Sequence, residues 1–288
     1  MWMKLAAAGG LGGAVCALAR SRYERRSLSV EETEIISPKI KKDKTLVFLS
    51  DLHNNEFGKG NRGLLAAIDR IRPDGVLSGG DMMVVKDGRA ATDVPLALLR
   101  ALSGRYPVFC GNGNHENRME RKKELYGDQY QRYRDQVRAM GITYLENETV
   151  LFGEDIQIGA ADLDKACYRK AFLKRVQPMR RGELREKLGW PERDRFVILL
   201  AHTPMYFKDY REWGADLSLC GHFHGGTIRL PWLGGVMTPQ YQFFLPWCAG
   251  TFREEGRYMV VSRGLGTHSI NIRINNLPQL VVLRLKGR

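Results

Sequence analysis

Cysteine pairing is the first thing this sequence lacks. Its five cysteines (Cys16, Cys110, Cys167, Cys220 and Cys248) contain no Cys-x-x-Cys pair and form no even set. That excludes a disulfide scaffold and a zinc–cysteine module. Cys110 and Cys220 close apolar runs, so buried free thiols in a reducing compartment are expected. Internal repeats and long low-complexity tracts are also absent, which excludes solenoid architectures. No run reaches the roughly 20 apolar residues of a spanning helix without help. The uncharged stretch 5–19 gets there only by including Met1, Trp2, Met3 and Lys4.

That stretch still matters. Arg20, Arg22, Arg25 and Arg26 follow it at once, and positive charge there opposes export. Residues 1–26 are therefore expected to be a membrane anchor or signal-like segment. By the positive-inside rule the catalytic domain is then cytoplasmic and membrane-associated. A cleaved signal peptide competes, because Ala17-Leu18-Ala19 has the small-x-small form of a cleavage site. Residues 27–44, polar and carrying Pro38 and a lysine run, are expected to be a linker to one domain over 45–288.

Charge is abundant and lopsided. Lys and Arg number 45 against 32 Asp and Glu, a net charge of +13. Attraction to phosphates, acidic membranes or nucleic acid follows. Residues 165–195 concentrate eleven of the cations, interleaved with Glu183 and Glu186. A solvated helix pair is the favoured reading, and an arm beside an anionic substrate the sharper one.

From residue 45 onward, short β-branched and aromatic runs alternate with helical patterns, which argues for an α/β fold with parallel strands. Expected strands lie at 45–50, 75–78, 107–110, 142–145, 156–160, 196–201 and 217–220, and a long charged helix at 118–140. Runs 258–262 and 280–285 are expected to pair antiparallel and close a second sheet. Five of the runs end in a metal-type residue: Asp51 after Ser50, Asp81 after Ser78, Asn114 after Cys110, His202 after Ala201 and His222 after Cys220. In open α/β sheets, ligands bind outside the carboxyl ends of strands.

Five of the six histidines fall in those clusters. In an extended chain residues i and i+2 share a face, so Asp51 with His53, and His222 with His224, can each address one ion. Asp81 has two oxygens and can bridge, while Gly80 permits close backbone approach. Asn114 adds a neutral oxygen and His202 a further imidazole. Seven candidates (Asp51, His53, Asp81, Asn114, His202, His222 and His224) are too many for one four-coordinate zinc and suit two divalent ions, Mn, Fe, Zn or Ni. Such a pair stabilises the attacking and departing oxygens of an in-line displacement and acidifies a water at neutral pH. His115 is expected to act as general acid, with Glu116 orienting its ring.

The ordered set SDLH (50–53), GGD (79–81), GNHE (113–116), AHTP (201–204) and CGHFHGG (220–226) resembles the calcineurin-like metallophosphoesterase superfamily. With Phe57-Gly58 and the closing SRGLG (262–266), it is most similar to the bacterial membrane-associated phosphodiesterase branch. The resemblance implies a four-layer α/β/β/α sandwich of two mixed β-sheets flanked by helices. It also implies one metal among Asp51, His53, Asp81 and His224, with Asp81 bridging to a second held by Asn114, His202 and His222. The Asp-Arg-Gly of serine/threonine protein phosphatases is missing after Gly80, which disfavours a phosphoprotein substrate. No twin-arginine pair supports export.

The preferred function is hydrolysis of a phosphodiester or pyrophosphate bond in a small or lipid-linked substrate. A nuclease using the same site, with nucleic acid as partner, ranks second, and a silent binding scaffold third. His268 stands outside the motifs and is expected to be structural. Trp232, Tyr241, Phe243, Phe244, Trp247 and Phe252, punctuated by Pro231, Pro239 and Pro246, predict a loop. It packs on its own aromatics or forms an apolar wall, the wall being favoured for its place just after His224.

Overall fold

The computed structural model describes residues 15–169, 177–267 and 271–288. Its strands, in chain order, begin with β1 (Ser29–Ile36), β2 (Lys44–Leu49), β3 (Gly75–Ser78), β4 (Val108–Cys110), β5 (Thr143–Tyr144) and β6 (Glu148–Phe152). They continue with β7 (Ile156–Ala160), β8 (Phe196–Leu200), β9 (Leu217–Cys220), β10 (Gly250–Glu254), β11 (Arg257–Val261) and β12 (Gln279–Lys286). Two mixed six-stranded sheets result, ordered β1-β12-β2-β3-β4-β5 and β10-β11-β9-β8-β7-β6. β2, β3 and β4 run parallel in the first sheet, and β7, β8, β9 and β11 in the second.

Strand periodicity explains the layering. In β2, Leu46 and Phe48 face one core while Val47 and Leu49 face another. β8 does the same, with Phe196, Ile198 and Leu200 inward and Val197 and Leu199 outward. Both faces of these strands are covered, so their sequences are continuous apolar runs without polar alternation. The inward residues of the two sheets form a shared core. Behind the first sheet pack α1 (Arg62–Ile71), α2 (Asp93–Ser103), α3 (Asn114–Arg121) and α4 (Gln129–Ala139), and behind the second α5 (Glu183–Leu188) and α6 (Phe207–Trp213). The expected helix/sheet/sheet/helix sandwich is therefore the fold. At the sheet–sheet interface a Cβ on Gly111 would sit 2.9 Å from the Ala160 methyl, so the backbones can approach there only through glycine.

Several expectations need correction. Ser29–Ile36, expected within a linker, is an edge strand paired parallel with β12 from Ser29↔Gln279 to Ile36↔Lys286. Its SVEETEII sequence alternates exposed and half-buried positions, as one uncovered edge demands. Runs 258–262 and 280–285 do not pair: β11 lies parallel to β9 in the second sheet, while β12 enters the first between β1 and β2. The long helix expected over 118–140 is three pieces. It breaks at Lys122, with φ −113° and ψ 56°, and again at Gly127, with φ 57° and ψ −129°. The charged run 165–195 holds one α-helix, α5, among its described residues rather than a pair.

Residues 15–24 are helical. The anchor expected over 1–26 lies mostly outside the described residues, among which no helix is long and apolar enough to cross a membrane. His268 also lies outside them. All five cysteines are free, with Cys16 exposed and the rest buried.

Candidate metal centre

The carboxyl ends of β2, β3, β4, β8 and β9 meet at one rim of the sandwich. Each strand runs straight into a site segment, and the segments hold one another by backbone bonds: Gly79 N to Leu49 O (2.8 Å), Asp51 N to Gly80 O (3.0 Å), His53 N to Asp81 O (3.1 Å) and Gly221 N to His202 O (2.9 Å). A Cβ on Gly80, whose φ is +86°, would overlap the backbone of Gly113. Glycine is obligatory there both for the left-handed backbone and for the close approach.

The expected site residues converge. Asp51, His53 and His224 form one group of metal-type atoms, and Asp81, His202 and His222 another. A third group, His53, Asp81 and His115, lies between them. Asp51, His53, Asp81, His115, Glu116, His202, His222 and His224 are all buried, and Asn114 is half-buried. His53 Nε2 is 3.2 Å from His224 Nε2 and 3.8 Å from both Asp51 Oδ1 and Asp81 Oδ2. His202 Nε2 is 3.2 Å from Asp81 Oδ2, and His224 Nε2 is 3.4 Å from Asp51 Oδ1.

Backbone partners fix the ring protons. His202 Nδ1 faces Gly79 O at 2.8 Å and His224 Nδ1 faces Gly266 O at 3.2 Å. A carbonyl only accepts, so both Nδ1 atoms carry the proton and both Nε2 lone pairs point at the carboxylates. His115 is reversed. Its Nδ1 accepts from Val85 N at 2.9 Å, so its proton sits on Nε2.

Acceptors therefore crowd together. Asn114 sharpens this: its amide oxygen stands 2.8 Å from His222 Nδ1 and 3.2 Å from Asp81 Oδ2. Turned over, the amide would donate to both atoms; a cation between them is instead satisfied by the oxygen. Titration points the same way. Burial opposes a charged His202, yet Asp81 and Asp51 push it up to about 10. Asp81, despite its burial, is held well below the usual carboxylate range by His202, His115 and His53. His53 is driven well below its ordinary value by burial, against the pull of Asp81, with His224 and His115 adding to the fall. The two clusters call for positive charge between their ligand atoms, and mixed N/O donors suit divalent transition metals. The residues fit such ions.

Glu116 corrects an expectation. Its oxygens accept from Asp81 N (2.9 Å), Met82 N (2.9 Å) and Gly113 N (3.0 Å), not from the His115 ring. It is the third residue of α3, and a glutamate there folds back to the residue that caps the helix. Burial, with the Asp81 charge behind it, raises Glu116 to about 7, against those backbone donors. It positions the Asp81 turn. Ser50 Oγ donates to Asp51 Oδ2 (2.7 Å), and His115 N donates to Asp81 Oδ1 (2.7 Å).

Sequence reasoning missed Arg273. Fully buried, it donates to Asn276 O (3.1 Å), Arg263 O (2.7 Å), Gly264 O (3.2 Å) and Gly266 O (2.5 Å), holding the loop that backs His224. Burial lowers its pKa to about 9. No local pattern in Asn271-Ile272-Arg273 marks it. Backbone strain was equally unreadable: Asp51, His53, Asp81, His222 and His224 all have φ between 44° and 66°. Non-glycine residues pay roughly 1–2 kcal/mol each for that conformation, a pattern that accumulates at functional sites.

The cluster opens on both sides. A cavity of about 590 Å³ meets His115, His224, Arg118 and Tyr241, and one of about 260 Å³ meets Asn114, His222, Arg121 and Lys165.

Comparison with known proteins agrees with this geometry. Residues 44–226 match the family model described as calcineurin-like phosphoesterase. Uncharacterized metallophosphoesterase YkuE of Bacillus subtilis is 28% identical over 247 residues, 84% of this chain and 79% of that protein. Phosphodiesterase YaeI of Escherichia coli is 28% identical over 251 residues, 83% of this chain and 81% of that one. UDP-2,3-diacylglucosamine pyrophosphatase LpxG of Chlamydia trachomatis is 31% identical over 97 residues, 30% of this chain and 28% of that one. The chain belongs to the calcineurin-like phosphoesterase family and is a metal-dependent phosphohydrolase.

Proposed function

We propose that this protein hydrolyses a phosphodiester or pyrophosphate bond in a small or lipid-linked substrate at a two-metal site. Asp51, His53 and His224 would hold one ion, Asn114, His202 and His222 the other, and Asp81 would touch both. Mn, Fe, Zn and Ni all suit this donor set. When bound, the ions would supply Lewis acidity to the phosphoryl oxygens and acidify the attacking water.

The division of labour rests on one observation, the opposite ring protonation of His115 and the ligand histidines. His202 and His224 offer lone pairs at Nε2 because their protons are committed to carbonyls. His115 carries its proton on Nε2, where it can be given to the leaving oxygen. Names among the relatives, a phosphodiesterase and a UDP-2,3-diacylglucosamine pyrophosphatase, support the substrate class. Attachment to the membrane through the apolar amino terminus, with the catalytic domain in the cytoplasm, fits the arginines at 20, 22, 25 and 26.

The test is metal content together with hydrolysis of bis-p-nitrophenyl phosphate by protein reconstituted with each metal. Asp81→Ala should lose both metal and turnover. His115→Ala should keep its metal and slow by about 10²–10⁴-fold, as for a lost general acid. Loss of metal from His115→Ala would make that imidazole a ligand and defeat the assignment.

A further inference from the structure

Beyond the cleft, one surface has no role in hydrolysis. Arg229–Leu230 and Gly234–Gly235 pair as a small antiparallel hairpin with Pro231, Trp232 and Leu233 at its tip. Trp232 is wholly exposed and Leu233 is 62% exposed. Leu230, Phe244 and Trp247 are exposed beside them. Trp232 also holds φ +62°, so nothing in the fold itself rewards a bulky side chain at that turn.

The hairpin has an apolar neighbour. Residues 273–276 lie between it and the helical segment 15–24. On one side Arg229 N donates to Ile274 O (3.0 Å) and Asn275 Nδ2 to Arg229 O (3.3 Å). On the other, Asn275 N and Asn276 N donate to the buried Glu24 carboxylate at 2.9 and 2.8 Å, and Arg273 N to Ser21 Oγ at 3.0 Å. That helical segment exposes Val15, Leu18 and Tyr23, together with Arg20, Arg22 and Arg26. The larger cavity opens here too, with Thr227, Met237, Tyr241 and Arg273 in its wall.

We propose that this face docks on an anionic bilayer, with Trp232, Leu233, Phe244 and Trp247 entering the headgroup layer beside the amino-terminal segment. Amphipathic aromatic rings partition to that layer, and flanking arginines add attraction to anionic lipid. A fifteen-residue uncharged run is a marginal anchor by itself, and stable attachment takes two signals. A second copy of the chain fits poorly, since it would set this arginine-rich face of a +13 molecule against itself. Docking in this orientation turns the cavity mouth toward the headgroups. That consequence, delivery of a lipid-borne phosphoester, rests on the phosphohydrolase reading; the docking does not.

The experiment uses the full chain and vesicles of phosphatidylcholine, alone or with phosphatidylglycerol, carrying brominated acyl chains. Tryptophan emission should be quenched, and Trp232→Phe should remove a large share of that quenching. Trp232→Ser combined with Leu233→Ser should weaken partitioning by roughly tenfold or more, the scale of unburying one large apolar side chain. Phosphatidylglycerol should tighten binding. Both variants should hydrolyse soluble bis-p-nitrophenyl phosphate like the parent, which also shows that they fold. Unchanged quenching in Trp232→Phe overturns the proposal, as does parent-like partitioning of the double variant or indifference to phosphatidylglycerol. Self-association that the double variant abolishes would overturn it in favour of a second copy. If the parent binds vesicles as expected but never hydrolyses the soluble ester, the phosphohydrolase reading fails and the docking stands.

Discussion

Gly221→Ala is the sharpest probe of the metal centre that leaves every candidate ligand in place. Gly221 does not occupy the left-handed region, so backbone strain plays no part. Space does. An added Cβ would fall inside 3.0 Å of both Ser50 Oγ and Asp51 Oδ2, closer than real Cβ atoms approach any heavy atom. Ser50 Oγ is itself bonded to Asp51 Oδ2 and buried, so neither atom can swing into solvent. Asp51 must retreat, by about 1 Å, a displacement that costs on the order of 10²-fold in turnover. Overpacking of a tight interior costs about 1–3 kcal/mol. In a domain of this size that lowers Tm by roughly 2–12 °C. Differential scanning fluorimetry, metal analysis and hydrolysis of the aryl diester read the three effects. Gly104→Ala is the control, because its nearest neighbour is 4.0 Å away and its φ of −72° is helical. It should be neutral or stabilising by about 0.4–1 kcal/mol. A Gly221→Ala protein with the parent's Tm, metal content and rate would show that Asp51 is not held as described.

Asp162 supplies a pH test away from the ligands. Burial raises its pKa to about 7, against the Asn112 amide that donates to it at 3.1 Å. The folded state thus binds this proton more tightly than the unfolded chain. Its contribution is full below pH 4 and is lost as pH rises toward 7, with a slope of up to about 1.4 kcal/mol per pH unit. Asp162→Asn should flatten that decline in urea midpoints, and an unaltered pH profile would contradict it. Glu24→Ala strands the buried N–H groups of Asn275 and Asn276, at about 1–3 kcal/mol each. Trypsin should then cut faster after Arg20 and Arg22 than in the parent, and equal cutting rates would mean that the carboxylate is not what secures the helical segment.

The sheet centres were legible because β2, β3, β8 and β9 are covered on both faces and so read as unbroken apolar runs. The metal-type residues were legible because each stands directly after such a run. Edge structure was not. β1 is written in glutamates and threonine, and its partner lies some 250 positions away (Ser29↔Gln279), beyond any local pattern. Helical spacing continued through Lys122 and Gly127 although the backbone does not. The reach of Glu116 was misjudged for a similar reason: adjacency to His115 suggested a contact, whereas the helix start turns the carboxylate toward Gly113. Arg273 acts through main-chain carbonyls, which leave no trace in residue identity.

β12, the end of the chain, lies inside the first sheet, flanked by β1 and β2. A nascent polypeptide emerging from the ribosome can pair β2 with β3 and β4, but β1 has no neighbour until the final residues are released. Sheet closure is therefore a post-synthetic event governed by long-range contact formation. Until then Val281, Leu283 and Leu285 are missing from the inter-sheet core, and a message truncated by its last few codons would yield an open, aggregation-prone edge instead of a slightly shortened enzyme.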